Sequence, residues 1–96
     1  MVVGVCTLQI EIPASQSLKD KRHVVKSLIT RVRHASRFNV SIAEVDSQDS
    51  WQHAVIGIVC VSPDERYAQG LLAKVIDHIE RSRMDAVIAD YSIEIW

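Results

Sequence analysis

Residues 53–61 read HAVIGIVCV. Val55, Gly57, Val59 and Val61 fall on one parity, and Ala54, Ile56, Ile58 and Cys60 on the other. Both faces of this β-branched run are apolar, which places it in the middle of a sheet. At this length it falls well short of the ~20 residues a bilayer crossing needs. Immediately before it, EVDSQDSWQH (44–53) is rich in turn-forming polar residues. Before that, residues 39–45 form a β-rich run. A strand, a polar turn and a central strand make a hairpin.

The pattern extends outward in both directions. SPDE (62–65) opens a helix with Pro63 in its first turn. Ala68, Leu72, Val75, Ile76 and Ile79 recur at helical spacing along one side. Gly70 interrupts this helix at about 1 kcal/mol relative to alanine, and marks close packing. Residues 86–96 read as a last strand, with Val87, Ala89, Tyr91, Ile93 and Ile95 on one parity. At the other end, residues 2–12 alternate strictly, with Gly4, Cys6, Leu8, Ile10 and Ile12 on one face, and Pro13 stops the strand. Ser17 followed by Asp20 is an N-cap with an acid three residues on. Leu18, Val25, Leu28, Ile29 and Val32 then give the first helix its apolar side. The order is βαββαβ. Two right-handed crossovers put both helices on one face of a four-stranded antiparallel sheet, with the first and third strands central. This is a single α+β domain over residues 1–96, with ferredoxin-like architecture. A chain of 96 residues buries roughly 60–65% of its unfolded surface, enough for a core without staples.

In this topology SLKDKR (17–22), DSQDSWQ (46–52) and RSRMD (81–85) lie at one end of the sheet and build a shared polar rim. Charge is unevenly distributed. Residues 18–37 carry seven Lys/Arg against one Asp, a net +6, within a chain whose total is −1. Lys19, Lys26, Arg33 and Arg37 fall within about 40° of one another at 100° per residue, and Arg22 lies beside the helix start. Cations in the first turn of a helix oppose its dipole by ~0.3–1 kcal/mol each, whereas free N–H groups beside Lys and Arg suit an anion. Lys19, Arg22, Lys26, Arg33 and Arg37 are therefore candidate anion- or RNA-binding residues, set against the plainer reading of a solvated basic face. Lys21 points inward, with Asp20 and the hairpin acids Asp46 and Asp49 as neutralising partners. In the rim loop, Asp46, Gln48, Asp49 and Trp51 are assigned a structural or partner-contact role. Two carboxylates three residues apart are too few for Mg²⁺ or Ca²⁺.

No nucleophile elbow, second base or glycine-rich loop accompanies His53, so no enzymatic activity, cofactor or metal site is expected. Cys6 and Cys60 lie inside apolar strands and read as buried thiols in a reducing cytoplasm, ahead of a disulfide or a two-cysteine metal site. The N-terminus lacks a basic leader, so the expected location is cytoplasmic, without membrane attachment. The outward parity of the first strand (Val3, Val5, Thr7, Gln9, Glu11) offers no aromatic for base stacking. Together with one row of the third strand it leaves apolar surface needing cover, which predicts a homo-oligomer through the sheet face.

The blocks SLKDKRHVVKSLITRVR (17–33) and FNVSIAEVDSQDSWQHAVIGI (38–58) resemble the YlxP-like family, domain of unknown function 503. The likeness runs over nearly the whole chain. It implies the ferredoxin-like fold and, through gene neighbours concerned with translation and ribosome maturation, a connection to RNA or a ribosomal particle. It implies no catalytic residue. The function expected is that of an RNA- or ribosome-associated factor binding phosphates through the first helix. The alternatives are a self-associating module without nucleic-acid binding and a regulatory small-anion binder.

Overall fold

The computed structural model describes residues 1–35, 37–47, 49–82 and 85–96. Its elements run β1 (Val2–Glu11), α1 (Leu18–His34), β2 (Ser41–Asp46), β3 (His53–Ser62), α2 (Glu65–Arg81) and β4 (Val87–Ile95). They form one four-stranded sheet in the order β2-β3-β1-β4, with every neighbouring pair antiparallel. β1 and β3 are central, as expected from the topology and from the two apolar faces of β3.

β1 and β3 pair over their full lengths, from Val2 opposite Ser62 to Glu11 opposite His53. This register puts Cys6, Leu8 and Ile10 beside Ile58, Ile56 and Ala54 on one face. Val25, Leu28 and Val32 of α1 and Leu72, Val75, Ile76 and Ile79 of α2 complete the core. Both helices start at real caps. Ser17 accepts from the backbone N–H of Asp20, and Asp64 accepts from that of Tyr67. Each bond removes one orphan donor from a helix start, worth ~1 kcal/mol. Gly4 is required by sterics. A Cβ there would lie 2.9 Å from Leu72 Cδ1 and 3.0 Å from Cys60 Sγ, so it lets α2 settle onto β1.

Three expectations are corrected. α1 ends at His34, with Ala35 extended as its C-cap, so Arg37 lies beyond the helix and off its stripe. Gly70 marks no close packing, since nothing stands within 4 Å of where its Cβ would be. In β4 the expected parity fails at its start. A register shift leaves Ala89 without an opposite residue, so Ile88 pairs with Ile10 on the helix side and Val87 turns outward. One inserted residue exchanges the faces on either side of it.

Both cysteines are free and buried. Burial pushes the Cys6 thiol up to about 11. A raised thiol favours the protonated native state, so its contribution to stability is complete below pH 9 and declines as pH rises towards 11. At pH 8 a disulfide reagent such as Ellman's should leave both thiols unreacted in the native protein, and titrate two per chain after denaturation. Gly4→Val should destabilise by about 1–3 kcal/mol in urea titration, the cost of overpacking.

Candidate functional site

The described residues of the polar rim come together at one end of the sheet, as expected. Ile12 donates to the Gln52 carbonyl at 2.9 Å, and the Gln52 amide donates to the carbonyls of Pro13 (3.3 Å) and Ser15 (3.1 Å). The β2–β3 loop is thereby fastened to the β1–α1 loop. Asp85 joins the rim from the far side. With Ser15, Lys19, Asp20 and His23 it borders a cleft of about 340 Å³.

Lys21 holds this end together from inside. Its side chain is 1% exposed. Nζ donates to the carbonyls of Ser47 and Ser50, the latter at 2.6 Å, and lies 2.9 Å from Glu44 Oε2. An ammonium has three protons, and three oxygens surround it. Ser47 adopts φ 62°, a left-handed conformation unusual outside glycine. Its carbonyl binds Lys21 and its N–H donates to its own neighbour Asp46 at 2.7 Å. The loop is thus shaped around a buried positive charge.

The expected partners of Lys21 are corrected by this geometry. Glu44, not Asp20, Asp46 or Asp49, forms the ion pair. Glu44 alternates in step with buried Ile42 along β2, so it reaches under the sheet edge. Its Oε2 is buried without an aligned hydrogen bond among the described residues, so charge attraction alone holds it. The signal was legible, since an acid on the inward parity of a strand calls for a cation on the inward side of a helix.

Of the candidate anion-binding residues, Lys19, Arg22 and Lys26 are exposed on α1. The ion pairs among the described residues are Lys21–Glu44 and Arg81–Asp77, so these three enter neither. Arg33 lies on the same flank and donates to the Ile42 carbonyl at 3.4 Å, which identifies that flank as the side towards edge strand β2. Arg37 stands apart. Its guanidinium lies 4.8 Å over the Phe38 ring and 3.5 Å from His78 Nδ1 of α2. The start of α1 already holds an anion of its own, because Asp20 Oδ2 accepts from the Gln16 N–H at 3.0 Å. The basic surface is therefore a flank of α1, not its N-terminus. In the rim loop Asp46 binds backbone, Asp49 is exposed, Trp51 is 53% exposed, and Gln48 lies outside the described residues. Arg83 and Met84 of the third rim segment also lie outside them. Among the described residues no three His, Cys, Asp or Glu side chains stand close enough together to hold a metal ion. Among the described residues no helix is long and apolar enough to cross a membrane.

A family model described as "Protein of unknown function (DUF503)" matches residues 3–93. The chain belongs to this family. "Uncharacterized protein YlxP" of Bacillus subtilis (strain 168) is 37% identical over 79 residues, which are 82% of this chain and 84% of that protein. A de novo designed protein with ferredoxin fold, solved by solution NMR, superposes with a TM-score of 0.49 at 17% identity. That alignment covers 100% of this chain and 83% of the designed one.

The rim generates a stability test. Lys21→Ala strands a buried carboxylate and two loop carbonyls, and should cost about 3–5 kcal/mol in urea denaturation. Adding Glu44→Gln should recover part of that loss, because the stranded charge goes with it. Asp49→Ala should lie within about 0.5 kcal/mol of the parent, as for surface positions generally.

Proposed function

We propose that this is a non-catalytic cytoplasmic factor that associates with RNA or a ribosomal particle, binding phosphates along the exposed flank of α1. The observation that supports it is the free basic ridge of Lys19, Arg22 and Lys26, extended by Arg33. The one acid of the helix, Asp20, is held by the Gln16 N–H. Surface helices ordinarily intersperse charges of both signs, and this one does not. Contacts of this type are sequence-tolerant and salt-dependent. The sheet takes no part in the reading. Its open face carries Glu11, Asp90 and Glu94, which repel phosphate, and its central strands present no aromatic to stack a base. Trp51, half exposed on the rim, is positioned to add one stacked base.

A second reading rests on a separate observation. Val45, Val59 and Val61, the last 65% exposed, line the open face beside Trp96, which is 73% exposed. Val3 and Val5 continue the patch. Contiguous apolar surface of this kind marks an interaction site, and supports a module that self-associates through the sheet face.

Binding of ribosomal RNA, followed by fluorescence anisotropy across salt concentrations, tests the first reading. Arg22→Glu/Lys26→Glu should weaken binding and flatten the log–log salt slope by about 1.4–1.8, for two lost phosphate contacts. It should leave the melting temperature near the parent's, since neither side chain bonds to another described residue. Absence of affinity for the parent at about 50 mM salt, where such contacts are strongest, or an unchanged double variant, would leave the ridge a solvated face. For the second reading, Val61→Lys should lower an oligomeric mass measured by light scattering, and a monomeric parent at high micromolar concentration would refute it.

A further inference from the structure

The two edges of the sheet are finished differently. β2 is six residues long, is interrupted by a register shift between Glu44 and Asp46, and receives Arg33 on its Ile42 carbonyl. β4 is nine residues long, VIADYSIEI, with no Pro or Lys. Val3 and Trp96 exchange both backbone hydrogen bonds, at 2.9 and 2.7 Å. The antiparallel alternation then makes Val5–Glu94 and Thr7–Ser92 the next bonded pairs. Tyr91, Ile93 and Ile95 consequently aim their N–H and C=O groups away from β1. The side chain of Asp90 takes the Tyr91 N–H at 2.8 Å. Among the described residues nothing bonds to the remaining outward groups of the three, on a strand whose alternate side chains are Tyr and Ile. Long uncovered edges of this kind template pairing with another strand.

We infer that β4 pairs antiparallel with β4 of a second copy of this chain, about a two-fold axis at Ile93, joining two sheets into one of eight strands. The strand is self-complementary about this axis, and charge selects the register. With Ile93 opposite Ile93 of the second copy, Tyr91 meets Ile95, an aromatic–β-branched pair of the kind that stabilises sheets. On the open face Ser92 meets Glu94, and Asp90 meets Trp96. Sliding the partner by two residues in one direction sets Glu94 opposite Asp90, and in the other sets Glu94 opposite Glu94. Both pair like charges directly, which is unfavourable. A register centred on Tyr91 meets the N–H already taken by Asp90 and runs into the irregularity at Ala89. The Ile93 register forms reciprocal bonds at Ile93 and two more from Ile95 N–H to the Tyr91 carbonyl of the other copy. It uses neither α1 nor the exposed valines of the open face, so it stands apart from both functional readings.

Cysteine cross-linking reads this register directly. Ser92 opposite Glu94 is a non-hydrogen-bonded pair with Cα atoms about 4.5 Å apart, inside the reach of a disulfide. Both positions are exposed, so Ser92→Cys and Glu94→Cys should fold as the parent does. The parent should show a dimeric mass by light scattering at high micromolar concentration. Mixed and mildly oxidised, the two single variants should give a covalent dimer joined 92 to 94, with either variant alone giving at least tenfold less. A monomeric parent overturns the inference. So does a dimeric parent whose mixed variants stay uncross-linked, which assigns the contact to the open face, and so does efficient self-linking of either variant, which assigns another register.

Discussion

The Lys21 ammonium is the constraint on which the rim end of the structure depends. Removing a charge from water is costly, and the loss is repaid only where each proton finds an oxygen. Here the Ser47 and Ser50 carbonyls each accept a proton, and the Glu44 carboxylate, 2.9 Å away, supplies the opposite charge. The β2–β3 loop has no glycine and turns through a left-handed Ser47, a conformation that costs of order 1–3 kcal/mol and persists only when its surroundings enforce it. The ammonium enforces it by holding carbonyls on both sides of the turn. Because Lys21 sits one turn into α1, the same bonds fix the start of the helix against the hairpin. Gln52 adds the β1–α1 loop. Segments remote in sequence become one surface through a single side chain.

How far this was legible in the residues depends on whether periodicity held. β1 and β3 pair without interruption, so strict alternation named their inward residues correctly from Cys6 to Ile58. β2 and β4 each carry an irregularity. An extra residue exchanges the two faces, and nothing in VIADYSIEI announces where it falls. Arg37 failed for a related reason. A helical angle is meaningful only while the helix continues, and α1 stops three residues earlier. Glu44 is masked in the sequence by the turn acids Asp46 and Asp49 that follow it. Its inward parity beside Ile42 held the answer, but that inference needs the strand and the helix to be considered together.

Within the block SLKDKR the three cations have different fates because a helix turns 100° per residue. Lys21 points into the core, while Lys19 and Arg22 flank it outside. One short segment therefore sets the loop geometry and begins the basic ridge. The two roles share a backbone but no side chain, so a change at Lys21 acts on the rim's shape and a change at Arg22 acts on its charge alone.

The sheet enforces a complementary separation of charge. α1 carries its cations towards the β2 edge, where Arg33 reaches Ile42. Glu11, Asp90 and Glu94 occupy the opposite, open side of the sheet and cluster towards β4. A polyanion approaching along α1 meets attraction on the helix layer and repulsion beneath the sheet, which gives it one favoured side of the molecule. For the phosphate ligand proposed above, the acidic residues would act as an orienting device from the far face, most strongly at low salt. At physiological ionic strength the Debye length is about 8 Å, shorter than the 17 Å of the molecule's smallest dimension. Repulsion from the far face is then largely screened, and phosphate binding of the proposed kind would rest on the ridge's own contacts.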